Sequence, residues 1–136
     1  MTNYLISDLA KKTGLSADTI RFYEKKGLIR AEFRADNQYR YFSESALKRL
    51  KMIKKCRSLD MSLKEIEQLI ELELSPHADC SVVNNMIDHH INTISQKLEE
   101  LKAFKQQLIE LRERCNQPTT IDHCQILKNL EDHSAS

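Results

Sequence analysis

The residues best suited to chemistry lie near the end of this 136-residue chain, in Cys115-Asn-Gln-Pro-Thr-Thr-Ile-Asp-His-Cys124. Two thiols close a short polar loop where a long helical pattern stops. Pro118 stops it, because proline lacks a backbone donor and its ring clashes with the preceding turn. A third thiol, Cys80, stands at the other end of the same pattern, and His123 sits beside Cys124. Three thiolates make a soft site suited to Cd(II), Pb(II) or Hg(II), or to Zn(II) if a fourth ligand joins. His123 is the candidate fourth ligand; its alternative is a solvated loop imidazole. The alternative for the whole loop is a helix end with two unrelated small hydrophobes. Cys56 reads as a core thiol. His77, His89 and His90 read as bystanders rather than ligands.

The elements must bring these thiols together. From about Ser81 to Arg114 no proline or glycine interrupts the chain. Val83, Ile87, Ile91, Ile94, Leu98 and Leu101 recur at spacings of four and three, and the stripe continues through Phe104, Leu108, Leu111 and Cys115. The step from Leu101 to Phe104 is a stammer-like shift. One narrow apolar stripe on a lone helix calls for a coiled-coil partner, most simply the same helix of a second subunit. Cys80 and Cys115 lie roughly 52 Å apart along such a helix at ~1.5 Å per residue, so they cannot share a metal within one chain. An antiparallel dimer solves this: Cys80 of one subunit would meet Cys115 and Cys124 of the other, giving two equivalent sites.

Bulk composition narrows the class. Two glycines, two prolines and no tryptophan point to a mostly helical chain. No apolar run approaches the ~18–20 residues that span a bilayer. Asp8 lies within an amphipathic N-terminal pattern, which does not read as a signal peptide. The expectation is a cytoplasmic protein with reduced thiols. Net charge is +1, but residues 1–57 carry +8 and residues 58–136 carry −7. A basic front and an acidic back suggest a polyanion-binding head on a stalk. No nucleophile–base constellation, phosphate loop or pair of catalytic carboxylates is visible, so an enzyme is not expected.

The head follows from its caps and turns. Leu5, Ile6, Leu9 and Ala10 form a first short helix, with Ser7 as its candidate cap. Gly14 makes a turn, Ser16 caps a second helix from Ala17 to about Lys25, and Gly27 ends it. Two short helices joined by such a turn form a helix-turn-helix whose second helix would read the major groove. Ser16, Thr19, Arg21 and Tyr23 are its candidate DNA-facing residues, with Ile20 turned inward against Leu9 and Leu15. The alternating aromatics of Phe33 to Phe42 around Asp36-Asn37 suggest a hairpin wing, from which Arg40 and Tyr41 would reach phosphates. Ser43 caps a third helix, and Ser62-Leu-Lys-Glu65 has capping-box spacing for a fourth. Lys54, Lys55 and Arg57 would make a second set of phosphate contacts. For any one of these charges the alternative is a solvated face.

Asp18-Thr-Ile-Arg-Phe-Tyr-Glu-Lys-Lys-Gly-Leu-Ile29, Tyr39-Arg-Tyr-Phe-Ser43 and Cys56-Arg-Ser-Leu-Asp-Met-Ser-Leu-Lys-Glu-Ile66 resemble signatures of the mercury-resistance regulator (MerR) family. Asn37 and Gln38 depart from it, standing in a turn where many members have glycine. The resemblance implies an all-α fold with a small β-hairpin wing. Residues 1–74 would be a winged helix-turn-helix head, 75–80 a linker, 81–115 an antiparallel dimerisation helix, and 116–136 a metal-binding loop with a short C-terminal helix. It implies a homodimer on double-stranded promoter DNA that activates by DNA distortion, with RNA polymerase as a further partner. Val83-Asn-Asn-Met-Ile-Asp-His-His-Ile91, Leu111-Arg-Glu-Arg-Cys115-Asn116 and Cys124-Gln-Ile-Leu127 resemble the cadmium/lead-responsive branch. Cys80 is absent from the family's copper sensors, and the zinc branch typically has adjacent cysteines where Asn116 follows Cys115. The expected ion is therefore Cd(II) or Pb(II), with Zn(II) and Hg(II) as alternatives. A cytosolic metal carrier is the rival from another class. A drug-sensing member of the family would usually carry a larger C-terminal domain. Some members of the cadmium branch have a histidine-rich tail, of which this chain has only His133.

Overall fold

The structure is a computed structural model that describes residues 3–34 and 39–132. The turn expected around Asp36, Asn37 and Gln38 lies outside the described residues, as does His133. In chain order the elements are α1 (Ile6–Thr13), α2 (Ala17–Lys25), β1 (Phe33–Arg34), β2 (Arg40–Tyr41), α3 (Glu44–Ser58), α4 (Leu63–Glu73), α5 (Ser81–Glu113), a 3-10 turn (Ile121–His123) and α6 (Gln125–Asp132). Two compact units result, Met1–Met86 and Ile87–Ser136. No described helix is long and apolar enough to cross a membrane.

Local chemistry sets most boundaries in the first unit. The cap of α1 differs from the expected one. Ser7 lies inside the helix, and Leu5 is the N-cap residue. Asp8, the third residue of the helix, reaches back instead: its carboxylate accepts from the Leu5 N–H at 2.9 Å, the N3 half of a capping box. Helix α1 ends at Gly14, whose φ of +77° is costly for any residue with a Cβ. Ser16 caps α2, accepting from the Thr19 N–H at 3.1 Å. Past its other end, the Leu28 N–H reaches the Tyr23 carbonyl and the Gly27 N–H reaches Glu24, both at 3.0 Å. Those two bonds and Gly27 at φ +80° form a Schellman ending.

Strands β1 and β2 pair antiparallel, with Phe33 opposite Tyr41 and Arg34 opposite Arg40. Phe42 then exchanges both backbone hydrogen bonds with Tyr4, which ties the hairpin to the start of the chain. Ser43 caps α3, and Ser62 with Glu65 closes a reciprocal capping box on α4. Leu9, Ile20, Phe42, Leu50, Ile53 and Ile66 are fully enclosed at the centre of the core. Each comes from a different segment or turn, so the core fixes α1, α2, the hairpin, α3 and α4 together.

Helix α5 has a different character. Of its described residues only His90 is buried. Ile87, Ile91, Leu98, Leu101, Phe104 and Leu108 are exposed, the last at 64%. Beyond it, α6 is short and amphipathic, with Leu127 and Leu130 exposed.

Candidate DNA interface and thiol pair

Helix α2 presents a polar edge fixed by its own cap. The Ser16 and Thr19 hydroxyls are 2.8 Å apart, and the Ser16 oxygen also holds the Thr19 N–H. Arg21 stands two residues beyond Thr19, its guanidinium exposed and 3.0 Å from Asp18. Such an exposed pair contributes little to stability, so the guanidinium remains available to an anion. Tyr23 requires a correction. Expected on the exposed face, it is only 6% exposed and belongs to the core. The reason is helical spacing: Tyr23 follows the enclosed Ile20 by three residues and shares its face. Phe22 is the aromatic that α2 exposes, at 44%, with Lys26 Nζ 5.6 Å from its ring centroid.

The hairpin places Arg40 beside this helix. Its guanidinium pairs with Glu24 of α2. Arg21 and Arg40 line one cleft of about 280 Å³ with Leu5, Ile6, Ser7, Tyr39 and Phe42. Tyr39 is 61% exposed and was not among the expected contact residues. Its signal was the alternation that places it on one side of the strand with Tyr41. Tyr41 itself is half-buried. On α3 the three expected cations diverge. Lys55 is exposed. Lys54 donates its ammonium to the Thr13 carbonyl. Arg57 donates from Nη1 to the Met61 carbonyl at 2.8 Å, beside Asp60 with its left-handed φ of 63°.

The thiols fall into both units. Cys80 is exposed and directly precedes α5, whose first turn is held by Asp79 accepting from the Ser81 N–H at 2.9 Å. Cys115 follows the last turn of α5, with its Sγ 3.9 Å from the Gln117 carbonyl. Cys124 ends the 3-10 turn and directly precedes α6, where its carbonyl accepts from the Lys128 N–H. Its thiol pKa lies below the ordinary value. The Leu127 N–H lowers it most, against desolvation; the Ile126 N–H and the Cys115 thiol lower it further. The N–H groups opening a helix favour an anion, which favours the thiolate form of Cys124. Cys115 and Cys124 are thus brought together, with one sulfur biased towards the form that binds soft cations.

His123 is not drawn into this pair. Its Nε2 lies 3.6 Å from Asp122, on an exposed side chain. Among the described residues of this one chain, no group of three or more His, Cys, Asp or Glu side chains converges. Two sulfurs fit a soft ion in type, and a three- or four-coordinate shell would need further donors. Cys56 packs against the head core, and burial pushes its thiol pKa up.

A helix-turn-helix with a hairpin wing, joined to a thiol-bearing helix, defines a DNA-binding regulator. Residues 4–73 match the family described as MerR HTH family regulatory protein, and residues 47–111 match that described as MerR, DNA binding. The chain belongs to the MerR family of transcription regulators and is not an enzyme. An HTH-type transcriptional regulator ZntR homolog of Haemophilus influenzae is 39% identical over 109 residues, covering 80% of this chain and 81% of its own. The mercuric resistance operon regulatory protein of Bacillus cereus is 34% identical over 127 residues, covering 93% and 96%. Among solved structures, the transcription regulator PbrR691 of Ralstonia metallidurans CH34, in complex with lead(II), is 38% identical with a TM-score of 0.82. That match covers 93% of this chain and 98% of PbrR691.

Proposed function

We propose that this MerR-family protein is a cytoplasmic, metal-responsive regulator that binds promoter DNA as a homodimer and activates resistance genes when Cd(II) or Pb(II) is bound. The observation that carries the metal reading is the Cys115–Cys124 pair at the start of α6, with the Cys124 thiol pKa lowered. In this proposal the two thiols hold a soft ion with Cys80 of a second subunit. The bound ion would supply a cross-link between sulfurs of two chains. Residues 81–115 serve as the dimerisation helix, using the exposed stripe of α5, and residues 116–136 as the sensing segment. His123, paired with Asp122, is the reserve donor if a fourth ligand is taken.

The head, residues 1–74, supplies the DNA contacts. Ser16 caps α2, Thr19 and Arg21 lie along it, Arg40 and Tyr41 are on β2, and Lys55 and Arg57 are on α3. Thiols that favour one arrangement of the dimer transmit their occupancy only if that arrangement also distorts DNA differently, so metal must bind the activating state better than the repressing one. RNA polymerase then engages the reshaped promoter. Support for Pb(II) comes from the likeness to lead-bound PbrR691. The ZntR homolog supports a zinc-responsive alternative. Asn116 after Cys115 weighs against that alternative, because it leaves this helix end a single thiol.

In vitro transcription from the promoter upstream of its own gene, at buffered free Cd(II), Pb(II), Zn(II), Hg(II) and Cu(I), tests the reading. Activation by Cd(II) and Pb(II) at far lower free metal than Zn(II) is expected. Activation by none of the five, with DNA binding intact, would overturn the metal-sensing role.

A further inference from the structure

Lys54 sits on α3 next to Lys55, and the pair reads in sequence as two phosphate contacts. The structure separates them. The Lys54 ammonium donates to the carbonyl of Thr13, the last residue of α1. That carbonyl is one of the orphan acceptors at a helix C-terminus, where a cation is also favoured by the helix dipole. The seat is shaped for it. Gly14 follows at φ +77°, and a Cβ there would come within 3.1 Å of Lys54 Nζ. Thr13 is held in turn: its hydroxyl donates to the Leu9 carbonyl at 2.7 Å and accepts from the Leu15 N–H at 3.2 Å. The acceptor is therefore fixed by a buried residue, in the turn that joins α1 to α2.

We propose that Lys54 is a positioning residue for DNA recognition: it braces the helix-turn-helix turn from α3 and thereby sets the pose of α2, rather than neutralising a phosphate. The inference rests on the DNA-binding reading above. Loss of the ammonium leaves the Thr13 carbonyl without its charged donor and frees the turn to shift. The proposed DNA-reading residues, Ser16 at the cap of α2 and Thr19 and Arg21 within it, begin three residues after Thr13.

Salt dependence separates the two roles. Each phosphate neutralised contributes about 0.9 to the slope of log K against log salt concentration on B-DNA. The full-length protein, Lys54→Met, Lys54→Arg and Lys55→Met are titrated with a duplex carrying the DNA upstream of its own gene, across a range of salt. Thermal unfolding is followed in parallel. Lys54→Met is expected to bind roughly tenfold more weakly, the scale of one lost charged hydrogen bond, with the wild-type slope retained. Lys54→Arg should recover most of the affinity, because it keeps a cationic donor. Lys55→Met should lose about one unit of slope. A lower slope for Lys54→Met, or unchanged affinity despite a lower melting temperature, would overturn the bracing role.

Acetylation footprinting of wild-type lysines, free and DNA-bound, needs no variant to fold. Lys54 should react equally in both states while Lys55 becomes protected; protection of both would place Lys54 on phosphate and overturn the proposal. Absence of salt-dependent binding by the wild type would instead remove the DNA reading and this inference with it.

Discussion

At the scale of single residues, cysteine type says less than cysteine position. Cys56 and Cys124 have the same side chain, yet burial pushes one thiol pKa up and helix N–H groups pull the other down from the ordinary 9.0. The sign for reactivity follows. Only the thiolate attacks an alkylating reagent. In reduced, metal-free protein, Cys124 should therefore react with iodoacetamide at neutral pH well before Cys56. Mass spectrometry of the labelled peptides reads both rates; equal rates at neutral pH would remove the thiolate bias. Linkage carries a sign for Cys56 as well. Its raised pKa favours the folded state fully below the unfolded thiol value, and that contribution is lost as pH rises through the folded value. The spacing of Cys115 and Cys124 made them legible as a candidate pair. Sequence did not reveal that α6 would begin immediately after Cys124 and turn its N–H groups on the sulfur.

At the scale of elements, caps and turns were the most legible features, since each depends on residues adjacent in the chain. Ser16, Ser43 and Ser62 cap as their positions predict, and Gly14 and Gly27 take the left-handed turns. Ser7 is not the cap because the helix opens one residue earlier, at Ile6, where Asp8 holds the Leu5 N–H. The face of α2 was misread at Tyr23, although the inward Ile20 already implied the right answer three residues earlier. Two substitutions separate the adjacent aromatics. Tyr23→Ala should destabilise the protein by about 3 kcal/mol, as expected for a large aromatic removed from a packed core. Phe22→Ala, on the exposed side, should change stability by no more than about 0.5 kcal/mol. Urea unfolding midpoints measure both, and a larger effect at Phe22 would reverse the assigned faces.

At the scale of the whole molecule, what one chain lacks becomes informative. Exposed Leu98, Leu101, Phe104 and Leu108 leave a stripe on α5 that one helix cannot bury against itself. The stripe was legible from its spacing, because helical periodicity is a property of one chain. The proposed third ligand, Cys80, was legible as a thiol at the other end of that pattern, but its meeting with Cys115 and Cys124 depends on a second chain. A mixed dimer tests where that thiol originates. Cys80→Ser and Cys115→Ser homodimers should each respond poorly to metal. In a purified heterodimer of the two, one shared interface lacks both Cys80 and Cys115, while the other keeps Cys80 from one subunit and Cys115 from its partner. Metal binding should therefore return at about half the wild-type stoichiometry. An arrangement with all ligands in one chain predicts no recovery, since neither chain holds all three thiols. Ultraviolet thiolate-to-metal charge-transfer absorption, titrated with Cd(II) against a competing chelator, counts the sites. No recovered site in the heterodimer would remove the shared geometry and leave the paired thiols to act within one subunit.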